Sequence, residues 1–208
     1  MLSQIIFLFA LLGPNSANAV VQCTSDVQFG EEVGVRTPDG IKKLPLNGVG
    51  RKRVFGFNVF YAGLYLEYPS SNALGILESS QIKLGIIHTT MDISRRRITQ
   101  MWNEQYNRLC GSDCKSLEPY HQRFLSYARD VSRNERLYMI LYPDRFEFIV
   151  NNEEVYEPIY SSEYALLMQR VLIGPDAEDK DLENGLLGKT KVCRGEMGWP
   201  ESDWMELD

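Results

Sequence analysis

Clusters and alternations of apolar residues divide the chain into elements. The segment "FNVFYAGLYLE", residues 57–67, is dense in aromatic and β-branched side chains and bounded by Gly56 and Pro69, which predicts a strand. A second strand is expected over "QIKLGIIHTT", residues 81–90. Across residues 94–109 the apolar positions Ile98, Trp102 and Tyr106 recur every four residues, predicting an amphipathic helix with Ser94 placed to cap it. Another helix is expected in "LEPYHQRFLSYARDV", where Tyr120, Phe124, Tyr127 and Val131 share a stripe and Pro119 falls in the first turn. Three apolar segments follow at 136–143, 145–150 and around 154–159, separated by Pro143-Asp144 and Asn151-Asn152. Turn residues at that spacing predict an antiparallel meander. Helices at 164–172 and 179–187 close the pattern, broken by Gly174-Pro175 and ended by Gly188. Strands, helices, strands, helices is the order of an α+β fold.

The N-terminus changes where the folded chain is expected to start. An apolar run over residues 5–12 is too short to span a bilayer, ends at Gly13-Pro14 and precedes Ala17-Asn18-Ala19, a small-x-small cleavage pattern. Residues 1–19 therefore read as an export signal, although no Lys or Arg stands among them. No other run is apolar enough for stable membrane insertion, so a released protein, periplasmic or secreted, is expected. Residues 20–188 suit one domain, and the charged, aperiodic residues 189–208 read as an irregular C-terminal tail. Export also gives the four cysteines a role, since an even set in an oxidising compartment forms disulfides. Of three possible connectivities, Cys110 with Cys114 as a local staple and Cys23 with Cys193 as a clip between the chain's ends is the favoured one. Three residues separate Cys110 from Cys114, and the two histidines, His88 and His121, stand apart. Neither a zinc motif nor any cofactor is called for.

Charge narrows the function classes. With 22 Lys and Arg against 28 Asp and Glu, a net charge of −6 argues against nucleic acid as a partner. Cations nevertheless bunch at Arg51-Lys52-Arg53 and Arg95-Arg96-Arg97. On composition alone the first triplet is a solvated strand start and the second a surface face. No Ser-His-Asp set, paired carboxylates or phosphate loop stands out.

The segment "LNGVGRKRVFGFNVFYAGLYLE" resembles the signature of chalcone isomerase-like proteins, in which a Leu-Asn-Gly-x-Gly turn leads into a strand ending Ala-x-Leu-Tyr-Leu. "MDISRRRITQMWNE" and "LLMQRVLIGPDAEDKDLENGLLG" follow in the family's order, so the resemblance covers roughly residues 35–188 and is closest to small secreted bacterial members. It implies a curved antiparallel sheet packed against a layer of helices, an open-faced sandwich with a ligand cleft between the layers. Members of this fold either cyclise chalcones or bind fatty acids, and both hold an anion with a cation that follows the turn. The enzymes' Arg falls on Lys52, with Arg51 and Arg53 on either side; their strand hydroxyl falls on Phe60, with Tyr61 adjacent; their helix Tyr falls near Ile93 and their Asn near Gln100. With two hydroxyls missing, the resemblance implies non-catalytic binding of a small apolar anion such as a fatty acid. The expected ligand contacts are Arg51, Lys52, Arg53, Phe60, Tyr61 and Gln100. Strand parity would put Lys52, Phe60, Ala62 and Leu64 on one face if Gly56 does not interrupt it. An intramolecular lyase of the chalcone isomerase type and an accessory module with an empty cleft are the alternatives.

Overall fold

The computed structural model describes residues 20–110 and 114–194. The expected export signal lies outside these residues, as does most of the expected tail. Two short strands, β1 (Val20–Gln22) and β2 (Gln28–Gly30), pair with each other. Seven further strands form one antiparallel sheet in sequence order: β3 (Glu32–Thr37), β4 (Gly40–Val54), β5 (Phe57–Leu66), β6 (Lys83–Thr89), β7 (Arg136–Leu141), β8 (Phe146–Val150) and β9 (Glu154–Val155). Helix α1 (Ala73–Glu78) joins β5 to β6, and α2 (Arg95–Cys110) and α3 (Glu118–Ser126) join β6 to β7. Helices α4 (Ser162–Leu172) and α5 (Lys180–Leu186) follow the sheet. The fold is thus α+β, with a seven-stranded antiparallel sheet carrying its helices on one face.

Alternation along β5 explains why both sheet faces are apolar. Phe60, Ala62, Leu64 and Leu66 join Trp102, Phe124, Tyr164 and Met168 in the core beneath the helices. Tyr61 and Tyr65 point the other way, into a second core with Val21, Phe29, Leu44 and Ile140. The N-terminal strands cover that second face. The Phe29 ring lies where a side chain on Gly63 would begin, 2.8 Å from an added Cβ. The structure bonds Cys23 to Cys193 and Cys110 to Cys114, and Gln22 and Arg194 exchange backbone hydrogen bonds of 2.8 Å.

Two sequence readings are corrected. The Leu-Asn-Gly-x-Gly segment is strand, within β4, with a register shift between Leu46 and Gly48. Its glycines serve close packing. An added Cβ would lie 2.3 Å from the Gly185 carbonyl oxygen at Gly48 and 2.3 Å from the Leu182 carbonyl oxygen at Gly50. Only glycine admits α5 at that distance. Buried Asn47 completes the dock, its Nδ2 donating to the Leu186 carbonyl at 2.8 Å and its Oδ1 accepting from the Ser70 N–H at 2.7 Å. The second correction is at α3, which ends at Ser126 although the apolar spacing continues. Val131 instead bridges Ile93, and the Asp130 carboxylate caps α2 by accepting from the Arg95 N–H at 2.7 Å.

Candidate ligand cavity

Between the sheet and the helices lies a cavity of about 640 Å³, a size typical of small-molecule sites. Its floor is Phe60, Ile87, Leu137, Met139 and Phe148 from β5 to β8, and its roof is Ile98, Met101 and Trp102 of α2 with Phe124 and Leu125 of α3. The aromatic edges interlock, Trp102 and Phe124 meeting edge-on at 5.1 Å and Phe124 and Phe148 at 5.7 Å between ring centres. Such contacts keep the walls rigid.

A bulge shapes the open end. Lys52 pairs with Phe60, whereas Arg53 pairs with Asn58, so Val59 is an extra residue in β5. The bulge restores parity across the hairpin, and Lys52, Val54, Phe57, Val59 and Phe60 all line the cavity. Arg51 and Arg53 alternate away from it, and Arg53 turns back to donate to the Gly56 carbonyl at 3.3 Å. Of the three neighbouring cations, the structure brings only Lys52 to the cavity. Tyr61 faces the second core, its hydroxyl accepting from Asn58 Nδ2 at 3.0 Å. Gln100 is exposed and bonded to Glu104 at 2.8 Å, because helical phase turns it away from the stripe of Ile98, Met101 and Trp102. Arg51, Arg53, Tyr61 and Gln100 are therefore set outside the cavity wall, and Lys52 and Phe60 within it. Ile93, at the position of the enzymes' helix Tyr, also lines it.

Lys52 does not face the cavity as a free charge. Its Nζ lies 2.9 Å from Asp179 Oδ2, with 29% of the lysine and 22% of the aspartate side chain exposed. Asp179 is also the N-cap of α5, its Oδ1 accepting from the Leu182 N–H at 3.0 Å. The Gly48 and Gly50 dock thus delivers a carboxylate to the cation that the sequence singled out. Two more lining residues are cationic. Arg129 is held by Glu135 and Glu154, each at 3.0 Å. Arg97, at the start of α2, has no ion-pair partner among the described residues. Sequence reasoning assigned Arg97 to a surface face and passed over Asp179; its signal, an Asp beginning a helix, marks a cap and says nothing of Lys52.

Of the lining hydroxyls, Ser94 is exposed at the start of α2 and accepts from the Arg97 N–H at 3.4 Å, and the two deeper ones donate to backbone carbonyls. Thr89 donates to the Ser132 carbonyl at 2.7 Å and Tyr127 to the Glu157 carbonyl at 2.8 Å. No group of three or more His, Cys, Asp or Glu residues able to hold a metal occurs among the described residues. The cavity can accept an apolar body and, at its open end, a negative or hydrogen-bonding head.

A family model described as chalcone isomerase-like matches residues 22–188. No curated protein matches the sequence. Among solved structures, a fatty-acid-binding protein from Arabidopsis thaliana has a TM-score of 0.63 with this chain, covering 81% of it and 96% of the plant chain at 15% identity. At that identity the likeness is one of fold.

Proposed function

The chain belongs to the chalcone isomerase-like family, and within it we propose a non-catalytic role, the binding of a small apolar anion such as a fatty acid outside the cytoplasm. The observation that carries this reading is the apolar cavity with Lys52 in its wall. An acyl chain lying along Phe60, Met139 and Trp102 gains about 0.8 kcal/mol per buried methylene, so the tail supplies most of the affinity. A carboxylate at the open end meets Lys52, shared with Asp179, and adds about 1.5 to 3 kcal/mol at most. That the plant neighbour is a fatty-acid-binding protein agrees with this choice of ligand.

The same wall speaks against isomerisation. Closing a phenolate onto an enone needs hydroxyl or amide donors aimed at developing charge. Phe60 and Ile93 are hydrocarbon, Thr89 and Tyr127 have committed their protons to backbone carbonyls, and the remaining lining hydroxyl, Ser94, stands exposed at the start of α2. Export is supported by the bonded cysteines and by the apolar run over residues 5–12. No helix among the described residues is long and apolar enough to cross a membrane.

Native mass spectrometry of gently purified protein, followed by calorimetric titration with a C16 fatty acid and its alcohol, tests the proposal. A copurified acid, or saturable one-to-one binding of the added acid, is expected. Protein that carries no ligand and takes up neither compound would overturn it.

A further inference from the structure

The hairpin between β4 and β5 breaks a local rule at the rim of the cavity. Phe55 and Gly56 form its two-residue turn, with φ of 48° and 84°. Both being positive, this is the turn for which Asn-Gly is the favoured pair. A bulky aromatic residue is strained there, and Phe55 is 96% exposed, so burial in this chain does not compensate. Phe57, 73% exposed, and Met91, 43% exposed, stand on the same rim, and all three line the cavity's open end.

Exposed arginines stand near this apolar tip in a protein of net charge −6. Arg53 reaches over the turn to the Gly56 carbonyl, and Arg97, exposed in the first turn of α2, also lines the cavity. Arg95 and Arg96 are exposed in the same first turn of α2. None of the four makes an ion pair among the described residues. Four carboxylates also line the cavity: Asp179 is paired with Lys52, Asp92 accepts from the Arg133 N–H at 2.8 Å, and Glu104 and Glu178 accept from the side chains of Gln100 and Gln105, so the arginines offer the unpaired positive charge but not the sole charge at the opening. Three protruding side chains, each at most about 250 Å², fall short of the roughly 1,000 Å² that a stable protein interface needs. They are enough for the headgroup region of a bilayer, where apolar side chains insert shallowly and cations meet anionic lipid.

We propose that the Phe55, Phe57 and Met91 tip, flanked by Arg53 and the arginines of α2, docks the cavity mouth onto the surface of an anionic phospholipid bilayer. The protein rests on the membrane without spanning it, and the opening faces the acyl layer. This extends the ligand reading, yet docking is measured with no ligand present, so the two fail separately.

The test is cosedimentation with vesicles of phosphatidylcholine alone and of phosphatidylcholine with 30% phosphatidylglycerol, in low and high salt. It uses both the full chain and a chain beginning at Val20, which controls for the apolar run over residues 5–12. The decisive variant is Phe55→Asn, because Asn suits the turn and leaves folding intact or improved, as a melting curve will record. Expected are binding to the anionic vesicles that weakens with salt, a loss of roughly tenfold for Phe55→Asn, and a loss of roughly fivefold for Arg97→Gln. Phe57→Thr, which keeps a strand former in place, should behave like Phe55→Asn. Unchanged vesicle binding in Phe55→Asn, or a parent chain that ignores both vesicles, would overturn the proposal. So would a parent that self-associates through the tip while Phe55→Asn is monomeric.

Discussion

Replacing Asp179 with Asn should make the cavity a better acceptor of carboxylates. In the parent, Lys52 Nζ is 2.9 Å from Asp179 Oδ2, so an acid binding at Lys52 places a second carboxylate about 5 Å from the first. Their repulsion is about 1 to 3 kcal/mol, bulk water setting the low end and an effective dielectric of about 20 the high end. Both partners are partly exposed, which argues for the lower half of that range. Asp179→Asn should therefore tighten binding of a C16 acid by about five- to thirtyfold and leave the alcohol unchanged. Asn caps helices as well as Asp does, and the hydrogen bond to the Leu182 N–H can persist, so the melting temperature is expected to fall only by the small amount that a partly exposed ion pair is worth. Lys52→Ala removes the attraction and leaves Asp179 facing the ligand, weakening the acid by about ten- to a hundredfold. Calorimetric titration of parent and variants against acid and alcohol reads all these outcomes. Equal effects on acid and alcohol, or an Asp179→Asn protein that melts close to the parent and binds acid no better, would refute a head contact at Lys52.

Four further outcomes follow from the same geometry. Gly50→Ala forces a Cβ to within 2.3 Å of the Leu182 carbonyl and should cost about 3 kcal/mol in denaturant unfolding; an unchanged midpoint would contradict the close dock of α5. Removing the disulfide between Cys23 and Cys193, separated by 170 residues, should cost up to about 5 kcal/mol, against about 2 for Cys110 with Cys114, separated by 4, both read from chemical denaturation of the Ser pairs. Burial, helped by the Arg136 guanidinium, holds the His88 pKa below its ordinary 6.5, and burial lowers His121 likewise. The unfolded chain takes up these protons first, so the stability these groups supply is complete above pH 6.5 and falls as the pH drops below it. Because neither ring nitrogen of His88 has a hydrogen-bond partner among the described residues, His88→Leu should flatten the fall between pH 6.5 and 5 in melting curves. Finally, no acceleration of chalcone cyclisation is expected in an absorbance assay, and turnover abolished by Lys52→Ala would reverse that expectation.

Legibility of the fold followed the strength of each local signal. The four-residue spacing of Ile98, Trp102 and Tyr106 located α2, and the turn pairs Pro143-Asp144 and Asn151-Asn152 located the meander; both asparagines adopt positive φ, 51° and 63°. Strands β1 and β2, three residues each, are too short to show a period, and α1 has six residues. In α3 the spacing ran past the true end because Val131 is buried for another reason, its bridge to Ile93. Within the site, register alone separated Lys52 and Phe60 from Arg51, Arg53 and Tyr61, and it did so through a bulge at Val59 that no pattern announces. Asp179 was out of reach, since its meeting with Lys52 depends on tertiary docking across more than a hundred residues of chain.

That docking ties the family signature to the cavity in an unexpected way. The Leu-Asn-Gly-x-Gly segment suggested an anion hook by standing just before the cations. Its residues are instead occupied with packing: Gly48 and Gly50 admit the α5 backbone, and Asn47 holds the end of that helix and the loop after β5. Chemistry enters one step later. Because α5 is pressed against β4, its first cap is set beside Lys52, and the wall carries a cation and a carboxylate in contact rather than a bare charge. Such a pair keeps the unliganded wall from exposing an unpaired ammonium to an apolar cavity, which would oppose burial. On the proposed reading it would also grade ligands. A carboxylate must contend with Asp179, a neutral head need not, and an acid therefore gains less from Lys52 than a lone lysine would offer. Affinity then depends mainly on how much apolar surface the ligand buries between sheet and helices, so lengthening the acyl chain should alter binding more than changing its head.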